Sequence, residues 1–234
     1  MSVRKSIGWA DVSISPITGC QHGINVCFLS DRCWYRCFGK RFKTVEERFP
    51  QIRPDRLKTI PGQGKRVAVG LSGDMWGKWV HAGWIEQVLD WAGRQPQHTF
   101  LFLTKNPQRY TSYLLRDMIP DNCQVGATII DTVTLDRWMS SGAWAGHGAQ
   151  CWASIEPFTD RFPYEAVTEL APTLNWAAIG YWQHQWMPLG SQLARRCRRV
   201  IKELQAVGCK VYLKRNATGV LTGTHEDAGE WLTT

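Results

Sequence analysis

The sequence predicts an α/β protein, a partial (β/α) barrel of about six to seven parallel strands forming one domain over residues 1–234. Short apolar runs recur roughly every 25 residues, and most are followed by a stretch with helical periodicity. The runs are apolar at successive positions rather than alternating, as strands covered on both faces of a parallel sheet are. A chain of 234 residues is long enough to bury one large core. The same units could also be arranged as an open, doubly wound sheet.

The elements follow in order. A first strand is expected near residues 12–17, then strands over 66–72, 99–104, 124–130, 151–156, 175–180 and 210–214. A helix over 80–93 places Trp84, Val88 and Trp91 on one face. A helix over 107–116 begins with Pro107 in its first turn, where a missing N–H is tolerated. Asp131 is an N-cap for a helix over 132–139. A basic helix over 191–207 stops at Gly208, a natural C′ residue.

Composition narrows the class. At 44% hydrophobic and 21% charged, the chain is neither collagen-like, disordered nor a coiled coil. No apolar run approaches the ~20 residues that span a bilayer. The first residues lack a signal-peptide h-region, so a cytoplasmic protein without a membrane association is expected. The net charge is +8, and all of the excess lies in residues 1–66, which hold thirteen Lys/Arg against five Asp/Glu. The remaining residues carry fifteen of each sign. The basic region is therefore a candidate surface for nucleic acid, or else an ordinary solvated face.

Eight cysteines are present, and four crowd together as Cys20-x6-Cys27-x5-Cys33-x3-Cys37. In a reducing compartment such a cluster points to a metal or to catalysis rather than to disulfides. The spacing lacks the Cys-x2-Cys knuckles of zinc ribbons, and by itself it does not choose iron over zinc. His22 lies nearby and reads as a solvated loop residue. Cys123, Cys151, Cys197 and Cys209 are scattered and read as small buried hydrophobes.

In parallel (β/α) architectures, functional groups collect beyond the C-terminal ends of the strands. Those ends carry Thr18-Gly19-Cys20, Ser72-Gly73-Asp74, Thr104-Lys105, Thr128, Ser154-Ile155-Glu156, Gly180-Tyr181 and Lys214-Arg215-Asn216. Each could simply cap a helix or make a turn. Together they are expected to share one rim.

Several blocks, in this order, resemble a phage- and bacterium-associated radical-SAM-like family of unknown function. That family has a three-cysteine motif and is often encoded beside a "three-Cys-motif partner" protein. The blocks are Ser6-Ile7-Gly8-Trp9 with Ser15-Pro16-Ile17-Thr18-Gly19-Cys20, then Cys33-Trp34-Tyr35-Arg36-Cys37, then Val69-Gly70-Leu71-Ser72-Gly73-Asp74. They continue with His98-Thr99-Phe100-Leu101-Phe102-Leu103-Thr104-Lys105, Ser154-Ile155-Glu156-Pro157 and Lys210-Val211-Tyr212-Leu213-Lys214. The resemblance covers nearly the whole chain.

The resemblance implies a [4Fe–4S] cluster in the loop over 18–40, with Cys20, Cys27 and Cys33 as ligands and S-adenosylmethionine on the open iron. Reductive cleavage would give a 5′-deoxyadenosyl radical that abstracts a substrate hydrogen. Ser72, Gly73 and Asp74 would stand where such enzymes place a Gly-Gly-Glu-like turn near the methionyl ammonium. Lys105, Thr128 and Glu156 would contact cofactor or substrate. Two departures stand out. The cysteines are spread more widely than in the family, and Cys37 is an alternative or a fourth ligand. Gly180-Tyr181-Trp182-Gln183 replaces the family's Gly-Gly-Glu-Ser-Gly turn. A fourth ligand would close the cluster, so the rival function is a non-enzymatic nucleic-acid-binding module with a structural four-cysteine zinc or iron–sulfur site. A third is a radical-SAM-derived scaffold that has lost activity and works through a partner.

Overall fold

The computed structural model describes residues 8–22, 49–145, 150–181, 185–188, 190–222 and 229–232. They divide into two compact units, residues 1–124 and 125–234.

In the first unit, β1 (Val12–Ile14), β4 (Arg66–Val69) and β5 (Thr99–Thr104) run parallel, with Val12 opposite Val67 and Val67 opposite Phe100. Val67, Ala68, Val69, Phe100 and Phe102 are wholly buried, as a run apolar on both faces requires. A separate antiparallel pair joins β2 (Ile17–Thr18) to β3 (Gln51–Ile52). Helix α1 (Ala82–Gly93) follows β4, and α2 (Gln108–Leu114) follows β5. Helix α1 starts two residues later than the sequence suggests. His81 is its N-cap and accepts from the Gly83 amide, whereas Val80 is buried in the preceding loop.

Strand β6 spans Cys123–Thr128. In the second unit, β7 (Gln150–Ile155), β8 (Trp176–Ile179) and β9 (Lys210–Leu213) are parallel. Strand β10 (Glu230–Leu232) is antiparallel to β9. The strand order is β1-β4-β5 in the first unit and β7-β8-β9-β10 in the second. With β6 counted, the sequence predicts seven of these strands. It does not predict the antiparallel edge, because three residues carry no periodic signal; Trp231 holds that edge by packing on Trp176 and Tyr212.

Helix α3 (Thr132–Ser141) opens with a capping box between Asp131 and Thr134 and ends at Gly142, whose φ is +63°. A single helical turn, α4 (Val167–Leu170), leads toward β8. Helix α5 (Gln192–Ala206) is capped by Ser191 and buries Ala194, Cys197, Val200, Ile201 and Leu204. Gly208 beyond it has φ +80°. A last turn, α6 (Gly219–Thr222), follows β9. No helix among the described residues is long and apolar enough to cross a membrane.

The loop joining α1 to β5 is held by side chains that imitate backbone. Asn122 Nδ2 shares its two hydrogens among the carbonyls of Ala92, Gln95 and His98, at and beyond the end of α1, where the Ala92 and Gln95 carbonyls also accept from the amides of Gln95 and His98. His98 Nε2 donates to the Ile60 carbonyl while its Nδ1 accepts from the Lys65 amide. A carbonyl only accepts and an amide only donates, so these bonds select the neutral Nε2–H tautomer. Replacing Asn122 by Ala is expected to destabilise the protein by about 0.5–1.5 kcal/mol, the usual net loss for removing a part-buried hydrogen-bonding side chain whose acceptors at Ala92 and Gln95 keep backbone donors. Asn122→Asp is expected to be worse, because a carboxylate would face the same carbonyls without a donor. Urea denaturation of both variants measures the difference.

Candidate functional site

The first polar cluster is built on the turn after β4. Gly70, with φ +85°, ends the strand, and Ser72-Gly73-Asp74 follow. The Ser72 amide donates to Ser15 Oγ at 3.0 Å, which ties the turn to the end of β1. Gly73 forms a parallel bridge with Gly19. A Cβ on Gly73 would lie 2.4 Å from the Gly19 carbonyl oxygen, and one on Gly19 would lie 2.3 Å from the Phe49 carbonyl oxygen. Glycine at 73 thus admits the Gly19 backbone, and glycine at 19 admits the backbone at Phe49.

Asp74 is the centre of the cluster. Its Oδ1 accepts from Thr104 Oγ at 2.7 Å and from the Trp76 amide at 3.1 Å. Its Oδ2 accepts from the Lys105 amide at 2.9 Å and lies 2.6 Å from His22 Nε2. Burial alone would raise its pKa. The hydrogen bond and charge of His22, with the Lys105 amide and the Thr104 hydroxyl, outweigh burial and hold it below the ordinary range. The turn is fastened from its far side as well. Asn106 Nδ2 donates to the Trp76 carbonyl, and the Arg109 guanidinium donates to the carbonyls of Gly77 and Val80. The Trp76 ring, wholly buried, packs against Phe102, Tyr110 and Tyr113.

His22 corrects the expectation of a solvated loop residue. Its side chain is 6% exposed, and its ring meets Trp79 edge-on at 4.7 Å. Nothing in the sequence signals this, because the partner carboxylate is 52 positions away.

Cys20 follows Gly19 and is half-buried. Cys27, Cys33 and Cys37 lie outside the described residues, as does most of the loop over 18–40. Among the described residues no group of three or more His, Cys, Asp or Glu is placed to hold a metal ion. The scattered cysteines behave as expected of small hydrophobes. Burial pushes the thiols of Cys151, Cys197 and Cys209 up to about 12, and that of Cys123 up as well. Held as neutral thiols, they are poor metal ligands. Cys20 differs from them in being partly open, as a thiolate donor must be.

The basic region divides similarly. Eight of its thirteen cations, among them Arg32, Arg36 and Arg48, lie outside the described residues. Arg56 is used internally, donating to the Ser15 carbonyl.

The second unit has its own polar cluster at strand ends. Glu156 follows β7 and forms an ion pair with Lys214, which follows β9; their side chains are 27% and 24% exposed. Gly180, after β8, makes room for the pair. A Cβ there would lie 2.8 Å from Lys214 Cδ and 2.9 Å from Glu156 Oε1. Asn216 accepts from the Tyr181 amide and donates to the Tyr181 carbonyl, extending the chain beyond β8. The Arg215 guanidinium lies 5.5 Å from the centre of the Trp186 ring. Thr128 ends β6 and is 6% exposed. Ser72, Gly73, Asp74 and the Lys105 backbone thus stand together in the first unit, and Glu156 stands with Lys214 in the second. The sequence marks Lys214 only as a strand end, since an ion pair across 58 positions leaves no local pattern.

The fold is found among solved structures. Spore photoproduct lyase complexed with dinucleoside spore photoproduct is similar at a TM-score of 0.57 and 14% identity, over 87% of this chain and 64% of that one. One variant of the lyase matches at a TM-score of 0.55 and 16% identity, over 88% of this chain and 64% of that one. Another variant, with bound AdoMet and dinucleoside spore photoproduct, matches at 0.55 and 13%, over 87% and 64%. The chain therefore spans about 64% of the length of these lyases. No curated protein matches the chain. A family model covers residues 4–205, and the chain belongs to that family, described as protein of unknown function (DUF5131).

Proposed function

We propose that the protein is an iron–sulfur, S-adenosylmethionine-dependent radical enzyme. Cys20, Cys27 and Cys33 would hold a [4Fe–4S] cluster, with Cys37 as an alternative or fourth ligand. The observation that carries the reading is the Gly19–Gly73 bridge, which seats the start of the cysteine loop against the turn after β4. In radical-SAM-type proteins that turn meets the methionyl end of the cofactor. The similarity to a lyase with bound AdoMet supports the same assignment.

When bound, the cluster held by Cys20, Cys27 and Cys33 would supply reductive cleavage of S-adenosylmethionine and, through it, hydrogen-atom abstraction from the substrate. The protein's own task is to orient and enclose that chemistry. Ser72 and Gly73 lie at the turn, and the space a Cβ at position 73 would take is filled by the Gly19 backbone at the start of the cysteine loop. Lys105, Thr128 and Glu156 would line the strand ends that contact cofactor or substrate. Asp74 belongs to the same turn.

Nucleic acid or a nucleotide is the proposed substrate class, from the basic residues of 1–66 and from the dinucleoside bound by the similar lyase. Cytoplasmic residence and an association with a three-Cys-motif partner protein belong to the same reading. The spread of the four cysteines favours one rival, a closed four-cysteine site in a nucleic-acid-binding module.

Anaerobic purification with iron, sulfide and zinc analysis separates these readings. About four irons per chain, and 5′-deoxyadenosine on adding reductant and S-adenosylmethionine, are expected. One zinc per chain, or an intact cofactor, would overturn the enzyme reading. Single Ala substitutions of Cys20, Cys27 and Cys33 are expected to abolish cofactor cleavage, while Cys37→Ala spares it; loss of the metal in Cys37→Ala supports the closed site. Gly73→Ala is expected to lower iron loading, because its Cβ drives the Gly19 carbonyl away. Affinity for DNA or RNA is expected to fall with rising salt as phosphate contacts release counterions. Absence of binding at low salt would remove nucleic acid as the substrate.

A further inference from the structure

We infer that His22 and Asp74 form a latch that positions the Cys20 thiol, so that Asp74 acts through His22 rather than on a ligand. The inference rests on the cluster reading for its purpose, and on the described residues for its geometry.

An ionised carboxylate offers about four lone-pair sites. Asp74 is 5% exposed, and its two oxygens face four partners: Thr104 Oγ, the Trp76 amide, the Lys105 amide and His22 Nε2. Little acceptor capacity remains for an incoming ammonium group. An ionised carboxylate only accepts, so Nε2 of His22 carries the hydrogen. The three other donors belong to β5, its following loop and the turn itself. Only His22 comes from the cysteine-bearing segment.

The consequence lies in the spacing. Gly19 is bridged to Gly73, and three residues later His22 is bonded to Asp74. Cys20 sits between these ties. A four-residue span is therefore pinned at both ends to two adjacent residues of the turn after β4. Trp79 closes on the His22 ring edge-on and holds its orientation. Fixing the backbone on both sides of a thiol before metal binds removes conformations that would otherwise have to be lost on binding.

The test compares His22→Ala, His22→Gln and Asn106→Ala in the full chain. Gln can offer an amide donor to the same carboxylate oxygen. Asn106→Ala loosens the turn at the Trp76 carbonyl without touching residues 19–22. After anaerobic reconstitution with iron and sulfide, His22→Ala is expected to lose iron to a chelator roughly ten-fold faster than the unsubstituted protein, the usual scale for outer-shell partners. His22→Gln is expected to restore most of that retention, and Asn106→Ala to leave it unchanged. In the metal-free protein, amide hydrogen exchange at Cys20 and Gln21 is expected to quicken in His22→Ala alone. Unchanged exchange and iron retention in His22→Ala would overturn the latch, as would a His22→Gln protein that behaves like His22→Ala. An unsubstituted protein that binds no iron would instead overturn the cluster reading, and the exchange measurement still decides the latch.

Discussion

A buried carboxylate must be saturated by donors or lose its charge, and in the first unit this requirement falls on Asp74. Its four partners come from the turn itself, from the end of β5 and the residue after it, and from the segment that carries Cys20. Satisfying one side chain thus draws three stretches of chain to one point. The same donors outweigh burial and keep the group ionised. Because its folded pKa lies below the ordinary 3.8, the stability it contributes is complete above that pH and lost as pH falls through the folded value.

Close approach is the second organising constraint, and glycine is the means. Gly73 lets the turn after β4 meet the Gly19 backbone, and Gly19 lets its segment meet the Phe49 backbone; a Cβ on either would lie within 2.4 Å of a carbonyl oxygen. At Gly126 in β6, the missing side chain is replaced by the Trp152 indole, which stacks on Trp176 with centroids 4.4 Å apart. At Gly180 the space is taken by the stem of Lys214 and the carboxylate of Glu156. The departure Gly180-Tyr181 from the family turn keeps the glycine that this pair needs, and Asn216 secures the residue after it. Each of these positions is shaped by what a segment distant in sequence delivers to it.

The strands and helices were legible because their signals are local. Residues 67–69 and 100–103 are apolar at successive positions, as in a strand covered on both faces. Asp131, Ser191, Gly142 and Gly208 mark helix ends through bonds and dihedral angles reached within a turn. The shortest elements, β2, β3 and β10, escaped because two or three residues have no period. Ser72, Gly73 and Asp74 were legible as a strand end, and the structure brings them together in one turn. The role of His22 was not, and neither was the pairing of Lys214 with Glu156.

The sequence by itself determined which segments become strands and helices, the parallel class of the sheet and the strand ends at which polar groups collect. Its family-like blocks also marked the cysteine loop, although three of those cysteines lie outside the described residues. Only the tertiary structure decided the partners. His22 reaches Asp74 across 52 positions, and Lys214 reaches Glu156 across 58. Propensity and capping act over a few residues, so they write themselves into neighbouring letters. A hydrogen bond between distant strand ends exists only once the sheet has set their register, and no short stretch of sequence encodes it.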